Sequence, residues 1–190
     1  MYFVWLFLVA FLLIFFFCTN WPVRMYHNHY LAKLAAILGS IVQNRHSSIM
    51  GPAPELNTIY HGRPFTIRFV EGSVDALQSN SGLEIRMEIK SEAVMECYRL
   101  SGKSRERGEF IRFQTGTPEI DSRWFIMTTN PTTAASFWEK SGLKELLAFN
   151  QRNIEQLSIN RTEMIIRLQK NSISQVVELV NRLVGLTGCN

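Results

Sequence analysis

Several residue groups in the chain have types and spacings that chemistry could use. Ser101-Gly102-Lys103-Ser104 carries the G-K-S end of a phosphate-binding loop. Such a loop also needs a glycine five positions before Gly102, where Cys97 stands, and an apolar helix after it, which Ser104 to Glu109 does not open. The segment therefore reads as a hairpin loop. It also gathers Arg99, Lys103, Arg105 and Arg107, interrupted by Glu106. A basic hairpin of this kind suits contact with anionic headgroups or with a partner, at about 1 kcal/mol per well-placed cation, beside the plainer reading of a solvated turn. His27 and His29 flank Asn28, a spacing that puts both on one side only in an extended chain, and no Cys, Asp or Glu lies nearby to complete a metal site. His46 and His61 lack local partners. Glu84 and Glu88 share one face of a strand about 13 Å apart, too far for a paired-carboxylate mechanism, and read as solubilising charge. Asp121 is assigned to closing a turn. Neither G-x-S-x-G nor H-E-x-x-H occurs. No catalytic, cofactor-binding or metal-binding residue is assigned, and the chain reads as non-catalytic.

Composition narrows the partners. A formal charge of +4, from 20 basic and 16 acidic residues in a chain of 190, is mild for a nucleic-acid binder, so no nucleic acid is expected. Cys18, Cys97 and Cys189 have neither metal nor disulfide spacing and read as free thiols, which suits a reducing compartment.

The elements that must position these residues begin with an apolar run. From Phe3 to Cys18 no charged residue occurs, and with Tyr2 before and Trp21 after, the run predicts an uncleaved transmembrane signal anchor over 1–22. A secretory signal would start basic and end on small residues, whereas Phe15, Phe16 and Phe17 precede Cys18. Arg24, Lys33 and Arg45 follow the run and no cation precedes it, so the expected topology is single-pass with the soluble part in the cytoplasm. Residues 23–55 read as a juxtamembrane amphipathic helix and linker: Leu31, Leu34, Ile37, Leu38, Ile41 and Val42 fall at helical spacing, and Asn44 to Pro54 is rich in Ser, Gly and Pro.

From residue 56 to 190 the pattern predicts a soluble α+β domain. Leu83, Ile85, Met87 and Ile89 alternate with Glu84, Arg86, Glu88 and Lys90, and Phe65, Ile67 and Phe69 repeat the alternation. Strands are also expected at about 95–100 and 109–113, and Trp124 to Thr128 should be a central strand. Asn130-Pro131 opens a helix that breaks at Ser141-Gly142, a hairpin turns at Asn160-Arg161, and Ser172 to Leu186 carries a strong apolar stripe. The expected fold is an antiparallel sheet with two helices on one face, in the late order strand, helix, hairpin, helix.

Thr115-Gly116-Thr117-Pro118-Glu119-Ile120-Asp121, continuing through Trp124 to Asn130-Pro131, resembles a pattern in uncharacterised bacterial membrane-anchored proteins, roughly T-G-D-x-x-F-D-x-x-F-x-V-x-T-x-D-P. Tyr60-His61-Gly62-Arg63 resembles a Y-x-G-R element upstream in the same family. Thr117, Ile120 and Asn130 depart from the pattern. The resemblance spans about residues 56 to 187 and implies a fold arrangement and an anchor, with no activity and no site residues. Taken together, the expectation is a single-pass, membrane-anchored accessory subunit that binds protein partners beside a lipid bilayer. The alternative is a module that holds a lipid or other apolar small molecule. No cofactor is expected.

Overall fold

The computed structural model describes residues 2–18, 21–40, 54–70, 82–100, 109–149, 153–169 and 172–186. Two helices come first, α1 (Tyr2–Cys18) and α2 (Trp21–Leu38). Strands β1 (Glu55–Tyr60), β2 (Arg63–Val70), β3 (Gly82–Glu88), β4 (Met95–Arg99) and β5 (Ile111–Phe113) follow. The short helix α3 (Pro118–Asp121) leads into β6 (Trp124–Thr128), helices α4 (Pro131–Ser141) and α5 (Leu143–Phe149), the hairpin β7 (Ile154–Ile159) and β8 (Glu163–Leu168), and α6 (Ile173–Val184). The eight strands form one antiparallel sheet in the order β1-β2-β3-β8-β7-β4-β6-β5.

Period-two alternation explains the sheet. Its apolar parity lines up in rows: Phe69 beside Leu83 beside Leu168, Ile67 beside Ile85 beside Ile166, and Phe65 beside Met87 beside Met164. These side chains are buried apart from Phe69, which is partly so, and they form one core with residues from five helices. Asn130 caps α4 by accepting the amides of Thr132 (3.1 Å) and Thr133 (3.2 Å), with Pro131 in the first turn. Gly142 ends that helix at φ 73°, where a Cβ would be strained, and α5 restarts to bury Leu143, Leu146 and Leu147. Helix α6 opens on a capping box between Ser172 and Gln175 and sinks Val176, Leu179, Val180 and Leu183. The expected α+β order therefore holds, but α2, α3, α4, α5 and α6 all contribute to the core where two helices were expected. Strand β6 lies between β4 and the short edge strand β5, one place from the sheet's end.

The expected membrane anchor is overturned. Helix α1 is 17 residues long, about 25 Å at 1.5 Å per residue, against a hydrocarbon core of about 30 Å. Among the described residues no helix is long and apolar enough to cross a membrane. The transmembrane helix, the single-pass topology and the cytoplasmic orientation that followed from it are withdrawn with it. Trp21, expected as an interfacial residue, opens α2, which takes up Arg24, His27 and His29 within its first half. Of the stripe expected from Leu31 to Val42, Leu31, Leu34 and Leu38 face the core, Ile37 turns outward, and Ile41 and Val42 lie outside the described residues. Leu31, Leu34, Ala35 and Leu38 are buried in the same core as the sheet. At about 2 kcal/mol for each fully buried leucine, that face holds α2 on the sheet and sets which side it turns outward.

Candidate functional site

Helices α2 and α6 lie side by side, and each has more apolar surface than the core takes up. On α2 the inward residues Leu31, Leu34 and Leu38 leave Lys33, Ala36 and Ile37 on the flank toward α6; Ile37 is 58% exposed. On α6 the inward row leaves Ile173 and Val177 only partly covered. The result is a groove of about 620 Å³ between the two helices, lined by Ala36, Ile37, Ile173 and Val177 with Lys33, Ser174, Glu178 and Asn181 around them. That volume lies within the usual range for small-molecule sites. The polar residues are held in place. The Tyr60 hydroxyl donates to Asn181 Oδ1 at 2.8 Å, Glu178 accepts from Arg182 one turn on at 3.4 Å, and the hydroxyls of Ser172 and Ser174 share a hydrogen bond of 2.9 Å. No histidine, cysteine or aspartate lines the groove. What it offers is an alkyl floor between a lysine, a carboxylate, an amide and a hydroxyl, which fits an acyl chain with a polar end better than a reacting group.

A second cluster lies on the opposite side of the sheet. Glu84, read from sequence as a solvated charge, has a fully buried side chain. Its Oε1 accepts from Arg68 Nε (3.0 Å) and Arg86 Nε (2.7 Å), and its Oε2 from Arg167 Nε (3.1 Å). Strand register builds this cage, since Arg68 and Arg167 stand directly beside Glu84 on β2 and β8, and Arg86 lies two residues along β3 on the same face. Burial pushes the Glu84 carboxyl up, but hydrogen bonds and charges from Arg86, Arg68 and Arg167 outweigh it and hold the group below the usual carboxylate range. Glu88, by contrast, is exposed as expected.

The other residues singled out in the sequence do not converge. Arg99 ends β4. Lys103, Arg105 and Arg107, with the Ser101 to Ser104 segment, lie outside the described residues, as do His46 and Cys189, and Cys18 ends α1. His27 is buried and stacks on Phe69 at 3.8 Å between ring centroids, while His29 is exposed. Two residues apart on a helix, they point to different sides. Asp121 closes a turn as expected, accepting from the Thr115 amide and hydroxyl at 2.9 Å each. Cys97 is a buried free thiol, pushed up to about 12 by burial and the neighbouring Glu96 charge, so it stays protonated and inert.

No family model matches the chain, and no curated protein matches it by sequence. Among solved structures it is similar to the crystal structure of the mycobacterial trehalose monomycolate transport factor A, TtfA. The two share 10% identity and a TM-score of 0.55, over 83% of this chain and 89% of that one. The likeness shows a shared fold at 10% identity.

Sequence reasoning missed both clusters. The sign of the groove was present, in Ile37 on α2 and in Ile173 and Val177 on α6, as apolar positions beyond what one core face needs.

Proposed function

We propose that the protein is a non-catalytic binding module that holds a lipid or other apolar small molecule, with an acyl chain laid between α2 and α6. The observation that carries this is the groove itself: alkyl side chains of Ala36, Ile37, Ile173 and Val177 left open to the outside between two helices whose inner faces are buried in the core. The shared fold with a protein named for the transport of trehalose monomycolate supports the same reading.

The test is titration of the full chain with cis-parinaric acid, whose fluorescence rises in an apolar site. Helix α1 also shows apolar side chains and takes up some of the dye, so the readout is the difference between variants. Ile37→Asp and Ala36→Asp place a charge on exposed positions of the groove floor, outside the core, and each should weaken binding at least about tenfold at unchanged melting temperature. Equal binding by both variants and the parent chain would sink the proposal.

One observation favours a second reading, in which the chain docks on another protein. Every side chain from Tyr2 to Ile14 is exposed, and a helix apolar all round is of the kind that larger assemblies bury. A photocrosslinker placed at Phe7 in cells should give one discrete protein adduct; a smear without a defined band would remove this reading.

A further inference from the structure

The face of the sheet turned away from the helices has been left without a role, and its side chains form ordered rows. Register sets Glu55, Arg68, Glu84, Arg167, Gln156, Tyr98 and Phe125 side by side across seven strands. At the centre of that row, three guanidinium groups crowd around one carboxylate. A buried carboxylate needs one cation to balance it. Here Arg68, Arg86 and Arg167 all spend their Nε on Glu84, and a second acid, Glu163, reaches only Arg86, at 3.7 Å. Two carboxylates touch the three cations and a third, Glu55, stands beside Arg68 in the register, so the cluster is close to neutral as a whole and is distinguished by how its donors are arranged.

The way the donors are used matters more than the net charge. Arg68 also turns Nη2 to Glu84 at 2.8 Å, Arg86 turns Nη1 to Glu163, and Arg167 donates from Nη1 to Gln156 at 3.4 Å. Arg68 Nη1, Arg86 Nη2 and Arg167 Nη2 are bonded to none of the described residues. The three side chains are 37%, 35% and 48% exposed, so these edges are open to water. Glu84 thus acts as a buried post that orients three guanidinium groups, each with a donor to spare. Glu84 holds three like charges close together, so an anion placed over their outward edges is attracted by all three at once. Three separate donor edges suit the three outward oxygens of a tetrahedral oxyanion better than the two of a planar carboxylate.

We propose that Arg68, Arg86 and Arg167, positioned by Glu84 on the open face of the sheet, form a binding site for a phosphate group, carried by a free phosphate or by a phosphorylated headgroup. The site is independent of the groove between α2 and α6, which lies on the other side of the sheet.

The experiment follows the arginine Nε–Hε resonances of the full chain by nitrogen-15 NMR at constant ionic strength, while inorganic phosphate or glycerol 1-phosphate is added. The resonances of Arg68, Arg86 and Arg167 should shift together and saturate at millimolar ligand, while that of Arg182 on α6 stays in place. Arg167→Ala should weaken binding about tenfold, the size expected for one charge-assisted contact. Arg167→Lys keeps the charge, so it decides the matter if the alanine variant fails to fold. It should bind several-fold more weakly than the parent because the guanidinium fork is gone. Saturation by glycerol 1-phosphate points to a headgroup, and saturation by inorganic phosphate alone points to the free ion. Shifts that never saturate, or that Arg167→Lys leaves unchanged, overturn the site and leave the groove proposal untouched.

Discussion

Glu84 shows how far one side chain can depart from its pattern. Alternation put it on the water-facing parity of β3, and it is on that parity, yet the arginines from both neighbouring strands fold over it and bury it completely. Because its carboxyl is held lower in the folded chain than its ordinary value of 4.5, it stabilises the fold at any pH above that value. That contribution drains away as the pH drops from there through the folded value. Glu84→Gln should cost about 2 kcal/mol at neutral pH, less than breaking a dry ion pair, since the arginines stay partly hydrated. It should also flatten the acid side of the stability curve, read as urea midpoints against pH. An acid limb identical to the parent's would mean that another carboxylate is responsible.

At the scale of elements, two hairpins solve the same problem differently. The β1–β2 turn puts two residues in the left-handed region, His61 at φ 50° and Gly62 at φ 78°. This is the conformation that two-residue hairpins favour and that Asn-Gly fits best. Gly62 meets it without cost, while His61 carries a Cβ there. His61→Asn should therefore raise stability by about 0.5 kcal/mol, visible as a higher denaturant midpoint, and a lower midpoint would show that the imidazole contributes something through its edge contact with Tyr60. The β7–β8 turn has no glycine. There the Asn160 side chain accepts from the amides of Thr162 at 2.9 Å and Glu163 at 2.8 Å, replacing backbone bonds with its own oxygen. That is why the sequence could mark the turn at Asn160-Arg161 without the usual dipeptide.

For the whole molecule, what was legible followed from local periodicity and capping. The alternation of β2 and β3, the Asn130-Pro131 start and the stripe of α6 each fix an element from within a dozen residues. The rest was not fixed by local pattern. The apolar run from Phe3 to Cys18 looked long enough to span a bilayer until its helix length was known. Leu31, Leu34 and Leu38 announced a buried face without saying that the sheet was what buried it. Neither the Arg68–Glu84–Arg167 row nor the groove exists until β3 meets β8 and α2 meets α6. The strand order carries one further consequence. In the ladder, β1-β2-β3 and β4-β6-β5 are joined only through the β7–β8 hairpin, which enters between them from late in the chain. Until that wedge arrives, β3 and β4 each lack one neighbour and leave open edges that invite pairing with other copies. A polypeptide of this topology is in its most aggregation-prone form between the synthesis of β4 and that of the β7–β8 hairpin, and a chaperone that shields strand edges would help most during that interval.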